Sequence, residues 1–164
     1  MEPLYEPKAV EERWQRTWEE EGLYEAHPES AREAYVIMHP PPNISGSLSI
    51  GHALQLSLED TLIRWHRMRE FNTLWQPGYD HAGIALQAVM TRRLAAEGKT
   101  LQDVGREKFV ELCWDFIRDY GGQIMGQLRT LGASLDYRRH RFTMDDAYSA
   151  AVMRFFAHLW DKGY

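Results

Sequence analysis

The sequence predicts an α/β fold in which a parallel strand–helix–strand unit is preceded by one helix and followed by several long ones. Three observations carry that expectation. An apolar run at 34–38 and a second at 71–76 have the length of strands, and the second is ended by Pro77-Gly78. Between them, residues 52–69 carry Leu54, Leu58, Leu62 and Trp65 at helical spacing. Two strands joined through a helix of this length pair in parallel, and the crossover is right-handed. Only two or three strands are expected in all, fewer than a sheet with covered edges needs.

The other elements come in order along the chain. Residues 7–21 form a helix: Pro7 suits its first turn, Val10, Trp14 and Trp18 recur every fourth residue, and Gly22 closes it. Its tryptophans are expected to pack it onto the body. Residues 27–33 make a polar connection to the strand at 34–38, whose continuous apolar character predicts a buried central position. The helix at 52–69 ends in Arg64, Arg67 and Arg69, which complement its dipole. A helix over 85–97 stops at Gly98. A helical turn at 101–104 precedes a long helix over 106–131, built on an apolar stripe that includes Phe109, Phe116, Ile124 and Leu128. Gly121-Gly122 in its middle costs roughly 1 kcal/mol per glycine relative to alanine, which points to a kink or a close packing contact. A turn and short extended piece at 132–137 leads to a last helix over 144–162, capped by Thr143.

Composition narrows the function classes. A chain of 164 residues, 44% hydrophobic and 26% charged, is ordinary for a soluble globular domain. It has no apolar run of membrane-spanning length, and its first residues lack the basic start and apolar core of a signal peptide. The single cysteine, Cys113, excludes an internal disulfide and a cysteine-based zinc cluster, and it reads as a buried structural thiol. A cytoplasmic location is expected. The formal charge of −5 argues against nucleic-acid binding mainly through this surface. Positive charge does cluster, at Arg64, Arg67 and Arg69 and again at Arg138, Arg139, His140 and Arg141. Each cluster reads first as a solvated face or a favourable helix end.

The chemistry concentrates in two loops. Residues 39–54 run His-Pro-Pro-Pro-Asn-Ile-Ser-Gly-Ser-Leu-Ser-Ile-Gly-His-Ala-Leu. A strand, a small-residue loop and a helix N-terminus together build an anion site from backbone amides and the helix dipole. The spacing matches neither the G-x-x-x-x-G-K-[ST] nor the G-x-G-x-x-G fingerprint. Gly51 lets a flat ring lie against the backbone, and His52 can donate to a phosphate oxygen, so the pair suits the adenine and phosphates of a nucleotide. The plainer alternative is a packing glycine beside a surface histidine. The second loop, Pro77-Gly78-Tyr79-Asp80-His81-Ala82-Gly83, offers one carboxylate between two glycines. Asp80 can pair with a substrate ammonium group, or else make a local turn or cap the next helix. His81 is either a second polar contact or support for Asp80. Ligands of parallel sheets bind beyond the carboxyl ends of the strands, and both loops are expected there. No second histidine stands at metal-ligand spacing, so no metal site is expected.

Read together, these loops resemble the catalytic domain of the class I aminoacyl-tRNA synthetases and, among them, the valyl-tRNA synthetases. Pro40-Pro41-Pro42-Asn43 followed by Gly46-Ser47-Leu48 is similar to that family's Pro-Pro-Pro-Asn-x-x-Gly-Ser-Leu segment. Ser49-Ile50-Gly51-His52 occupies the place of the class signature His-Ile-Gly-His, and residues 77–85 resemble Pro-Gly-Thr-Asp-His-Ala-Gly-Ile-Ala. Residues 105–109, 131–137 and 142–145 match as well, so the resemblance covers almost the whole chain.

The resemblance implies the first half of a Rossmann-like nucleotide-binding fold over 34–164, with an N-terminal helical extension over 1–33. It implies a reaction in which valine and ATP give an enzyme-bound adenylate and the valyl group then passes to tRNA. Pro40 and Asp80 would hold the ammonium group, and Asn43 would shape the valine pocket. Gly51 and His52 would bind ATP, with Ser49 beside them at the reacting phosphates. Magnesium is expected with ATP, tRNA mostly through regions beyond this chain, and a monomeric intact protein. The implied full enzyme continues into an editing insertion and a second half carrying a Lys-Met-Ser-Lys-Ser loop. This chain is therefore expected to be an N-terminal fragment, inactive or very weak alone.

The family pattern is broken at Ser49, Tyr79 and Leu86, where it has histidine, threonine and threonine. Serine is too short to replace an imidazole at separating phosphates, and a lost donor of that kind costs roughly 2.7–4 kcal/mol by analogy with oxyanion holes. Two other readings stand beside the ligase: a synthetase-like module that binds a nucleotide or partner without catalysis, and a small nucleotidyltransferase of the same signature superfamily.

Overall fold

The computed structural model describes residues 6–44 and 46–164. The start of the expected N-terminal extension and Ser45 of the proline loop lie outside the described residues. The elements run α1 (Pro7–Glu20), β1 (Ala34–Met38), α2 (Ile50–Met68), β2 (Asn72–Gln76), β3 (Gly78–Tyr79), α3 (Gly83–Ala96), α4 (Leu101–Thr130), β4 (Arg141–Phe142) and α5 (Asp146–Asp161). A single 3-10 turn, Tyr137–Arg139, precedes β4.

The chain forms two units interleaved in sequence. The first takes in the described residues of Met1–His39, Leu48–Pro77 and Met125–His140. Its sheet is β1 paired in parallel with β2, in the register Ala34↔Asn72 to Met38↔Gln76. The parallel crossover expected from the sequence is therefore present. His39 extends the pairing, donating its amide to the Gln76 carbonyl at 3.1 Å. Its ring is buried and donates from Nδ1 to Glu59 at 2.8 Å. The same Glu59 carboxylate accepts the Trp75 indole N–H at 3.0 Å and the Gln55 amide at 2.8 Å. One acidic side chain of α2 thus ties the ends of β1 and β2 to the helix, and it satisfies polar groups that would be costly to bury alone.

Two packing expectations do not hold. β1 is not a buried central strand, because Val36 and Met38 are 52% and 69% exposed. Among the described residues its only strand neighbour is β2, so one edge and one face stay open. The apolar stripe of α2 does not face the core either, since Leu54 and Leu58 are more than 60% exposed. The side that α2 buries carries Leu56 and Ile63. On α1 the expected packing holds in part: Trp14 is 44% exposed and stacks on Trp18 with ring centroids 6.4 Å apart, and Trp18 lies 5.8 Å from the ring of the buried Tyr24.

The second unit comprises Pro40–Ser47, Gly78–Ile124 and Arg141–Tyr164. Its core includes Ile44, Leu86, Met90, Phe109, Phe116 and Ile124. Within α4, Gly105 has φ +74° and ψ 163°, so the run divides into the short turn and the long helix that the sequence predicts. The last helix begins two residues later than expected, and its cap is Asp145, whose carboxylate accepts the Tyr148 amide at 2.7 Å. Thr143 is not the cap; its hydroxyl bonds to Asp80.

Gly121-Gly122 resolves as close packing without a kink, since the only non-helical residue inside α4 is Gly105. A Cβ at Gly121 would stand 3.1–3.2 Å from the Tyr79 ring, whereas one at Gly122 would meet nothing within 4 Å. Alanine gains about 0.5–1 kcal/mol over glycine in a helix, and this gain is common to both sites. Overpacking typically costs about 1–3 kcal/mol and applies to Gly121 alone. Urea unfolding should therefore show Gly122→Ala stabilised and Gly121→Ala less stable than it by about 1–3 kcal/mol. Equal shifts in the two variants would mean that Tyr79 does not rest on Gly121.

Candidate functional site

The residues singled out in the sequence fall into two groups, one in each unit. Pro40, Asn43 and Asp80 belong to the second unit. Three consecutive prolines offer no amide N–H, so the loop can be held only through its carbonyls and through the amides from Asn43 onward. Two backbone bonds do this: the Asp80 amide donates to the Pro42 carbonyl and the Ile44 amide to the Asp80 carbonyl, both at 2.9 Å. Asn43 and Asp80 form a parallel bridge. Ile44 is fully buried and Pro42 buried, which anchors the loop, while Pro40 and Asn43 remain exposed.

The loop carrying Asp80 is set by β3, which pairs in parallel with β4 in the register Gly78↔Arg141, Tyr79↔Phe142. That pairing needs the glycine, because a Cβ at Gly78 would lie 2.8 Å from the Arg141 carbonyl oxygen. The rings of Tyr79 and Phe142 stack with centroids 5.0 Å apart. Burial raises the Tyr79 phenol above its ordinary range, and the negative charge of Asp145 adds to the effect.

One residue beyond β4, Thr143 donates its hydroxyl to Asp80 Oδ1 at 2.9 Å and accepts the His81 amide at 3.0 Å. The His81 ring nitrogen Nδ1 lies 2.6 Å from the Thr143 hydroxyl and 3.2 Å from Asp80 Oδ1. Two of these contacts, from the Thr143 hydroxyl and the His81 ring, meet at one carboxylate oxygen, Oδ1. Oδ2 has no protein partner among the described residues, and about a third of the side chain is exposed. A carboxylate held by one oxygen and open at the other can take an ammonium group. Asp80 does not cap α3, whose N-cap residue is Ala82 at φ +47°.

Ser49, Gly51 and His52 belong to the first unit and form the amino end of α2. Ser49 is the N-cap, and its hydroxyl accepts the His52 amide at 3.4 Å. The His52 side chain reaches back, its Nδ1 accepting the Ser49 amide at 2.9 Å. This reciprocal pair is a capping box. Leu48, just before it, donates its amide to Gln127 at 2.9 Å. Gly51 is exposed, and the one atom that a Cβ there would meet is the Ser49 hydroxyl oxygen at 3.5 Å.

A family model described as tRNA synthetases class I (I, L, M and V) matches residues 13–164. The chain belongs to this family. It is 51% identical over 160 residues to the valine–tRNA ligase of Geobacter sulfurreducens, covering 98% of this chain and 18% of that protein. The valine–tRNA ligase of Synechocystis is 50% identical over 163 residues, 99% of this chain and 18% of that protein. That of Nostoc is 49% identical over 160 residues, 98% of this chain and 16% of that protein. The chain thus spans 16–18% of the length of these relatives. A solved structure titled as the ternary complex of Agrobacterium radiobacter K84 agnB2 LeuRS-tRNA-LeuAMS superposes with a TM-score of 0.79 at 23% identity, over 98% of this chain and 19% of that one. The fold is accordingly the helix-rich, Rossmann-like α/β arrangement of a class I synthetase catalytic domain, as the sequence predicts.

Within this synthetase domain, the arginines of the basic clusters have partners in their own unit. Arg64 pairs with Asp60 at 2.8 Å, Arg67 donates to the Ser134 hydroxyl at 3.1 Å, and Arg69 lies 4.8 Å from the Trp65 ring centroid. Arg138 pairs with Glu25 at 2.9 Å, Arg139 with the buried Asp136 at 3.3 Å and Arg141 with Asp145 at 3.6 Å.

Sequence reasoning missed the clamp by Thr143. Nothing local marks it, because Thr143 and Asp80 are separated by α3 and α4 and meet only through the β3–β4 pairing. Removing the hydroxyl with Thr143→Val leaves the His81 amide without its acceptor and Asp80 without its donor. The variant should lose about 1 kcal/mol, because a net hydrogen bond is worth about 0.5–1.5 kcal/mol and water reaches Asp80 to replace part of the loss. Thr143→Ser should stay within about 0.5 kcal/mol of the parent. Urea denaturation compares the three proteins, and a valine variant as stable as the parent would remove the clamp.

Proposed function

We propose that this chain carries the first half of the catalytic domain of a valine–tRNA ligase, with 1–33 as a helical extension and 34–164 as the nucleotide-binding half. Its part is to bind ATP and valine for valyl-adenylate formation, ahead of transfer to tRNA. The observation that carries this reading is the pairing of the proline loop with Asp80, made within motifs that belong to a class I synthetase. The high identity to valine–tRNA ligases supports valine as the amino acid.

Each proposed role rests on chemistry visible in its own unit. Asp80, steadied at Oδ1 by Thr143, offers its other oxygen to the ammonium group of valine, with Pro40 and Asn43 exposed on the loop bridged to it. At the amino end of α2, Gly51 gives an open backbone surface for the adenine ring. His52 and the first-turn amides supply donors for the phosphates, and Ser49 stands at the signature position next to them. Adenylation needs in-line positioning and charge stabilisation more than a general base, and donors of this kind provide them. Magnesium accompanying ATP would neutralise phosphate charge. Contacts with tRNA fall to the greater part of the relatives' length that this chain does not span, consistent with arginines already committed to internal partners. A cytoplasmic, monomeric ligase is the setting that this reading implies.

The rival reading, a synthetase-like module that binds nucleotide without catalysis, is favoured by one residue, Ser49, standing where the family has histidine. Valine-dependent ATP–pyrophosphate exchange in the intact ligase separates the two. Ser49→His should raise the exchange rate by about a hundredfold, the equivalent of roughly 2.7 kcal/mol of recovered transition-state stabilisation. If neither the parent nor Ser49→His exchanges pyrophosphate in response to valine, the catalytic reading fails and the binding module stands.

A further inference from the structure

We infer that Ser49 is a positioning residue for His52: it fixes which ring nitrogen carries the proton and holds the ring against the amino end of α2. This inference rests on the proposed ATP-binding role for what the fixed donor meets, but the device itself is read from four atoms. The Ser49 backbone N–H can only donate, and it lies 2.9 Å from His52 Nδ1. Nδ1 must therefore be the acceptor, and in a neutral imidazole the proton then resides on Nε2. The Ser49 hydroxyl oxygen is 2.9 Å from the same Nδ1 and 3.4 Å from the His52 amide nitrogen. It accepts the amide proton and aims its own at Nδ1, so two donors of one residue converge on a single lone pair.

The consequence is a donor of known identity. Nε2–H has no protein partner among the described residues, and the amides of Ile50 and Gly51 belong to the first turn, which has no carbonyl one turn earlier to accept them. Phosphate oxygens only accept, so a ring locked with Nε2–H as its free group matches them and the other tautomer does not. Serine at this position thus has a role that its reading as a lost imidazole does not contain. It caps the helix, which histidine does poorly, and through the cap it sets the chemical state of the signature histidine that remains.

The test uses the intact protein that carries this chain, labelled with ¹⁵N. Long-range ¹H–¹⁵N correlation spectra at about pH 8, where imidazoles are ordinarily neutral, report the state of each ring nitrogen. The His52 signals are assigned by their loss in His52→Gln. The expected result is an acceptor-type Nδ1 and a proton-bearing Nε2 in the parent. Ser49→Ala, which keeps the backbone donor but loses the hydroxyl, should move both nitrogens part of the way toward averaged, mixed-tautomer positions, and Ser49→Thr should restore the parent positions. A parent with the proton on Nδ1 overturns the inference, as does a Ser49→Ala spectrum indistinguishable from the parent. Adding ATP to the parent is a separate arm, in which a selective shift of Nε2 is expected. If the tautomer is fixed but ATP moves nothing, the ATP-binding role fails while the positioning by Ser49 stands.

Discussion

Two backbone hydrogen bonds hold the proline loop beside Asp80: Asp80 amide to Pro42 carbonyl, and Ile44 amide to Asp80 carbonyl. Each is worth only about 0.5–1.5 kcal/mol net, and they are the polar part of the tether among the described residues. Prolines have no amide proton to give, and their fixed φ leaves the loop stiff but untethered. Burial of Pro42 and Ile44 supplies the apolar part of the anchor, and the β3–β4 pairing supplies the base on which Asp80 rests. Remove the tether and Asn43 no longer stands beside Asp80, whatever the side chains themselves can do. Thr143 then adds a finer constraint, because it orients the carboxylate that the backbone has already placed.

The elements governed by local chemistry were legible in the sequence. Pro7 and Gly22 bracket α1, Gly98 comes just after α3, and Gly105 breaks the run before the long helix, each at a residue whose backbone preference is intrinsic. The parallel crossover was legible too, since the length of α2 between two apolar runs leaves few other connections. What the pattern did not carry was which side of an element meets a partner. The stripe of leucines on α2 and the apolar run of β1 announce surfaces that must be covered, but periodicity is silent about whether the covering layer is present. In this chain those faces stay open, and α5, with Phe155, Phe156 and Trp160 more than 60% exposed, is open as well. Contacts such as Thr143 with Asp80, or Arg138 with Glu25, join residues far apart in sequence and could not be read from any window of it.

Electrostatics sharpens the same distinction. Seen in sequence, Arg64, Arg67 and Arg69 look like a patch for a polyanion. In the fold the first two embrace Tyr24, at 5.7 and 5.0 Å from its ring centroid, and reach the 132–134 segment through Asp60, Gly132 and Ser134. Burial raises the Tyr24 phenol, with the neighbouring guanidinium groups opposing the shift. Arg64 and Arg67 engaged in this way give donors to the protein.

Ser49 shows why stability and catalysis have to be weighed on separate scales. A good N-cap stabilises a helix by about 0.5–2 kcal/mol, and Ser49 supplies one that histidine would not. An imidazole reaching phosphates as they separate is worth roughly 2.7–4 kcal/mol by analogy with other oxyanion donors. The cap lowers the free energy of the resting protein and of the transition-state complex alike, so it contributes nothing to the rate directly. It affects catalysis only by what it does to a group that touches the reacting atoms. The group that Ser49 holds in this structure is His52, whose Nδ1 is occupied by Ser49 and whose remaining nitrogen is thereby defined as a donor. Serine at 49 therefore lacks the imidazole of the family pattern and pre-orders the one that remains at 52. Pre-ordering recovers at most the entropy of orienting a single ring, about 0.5–1.5 kcal/mol, which is less than the lost donor.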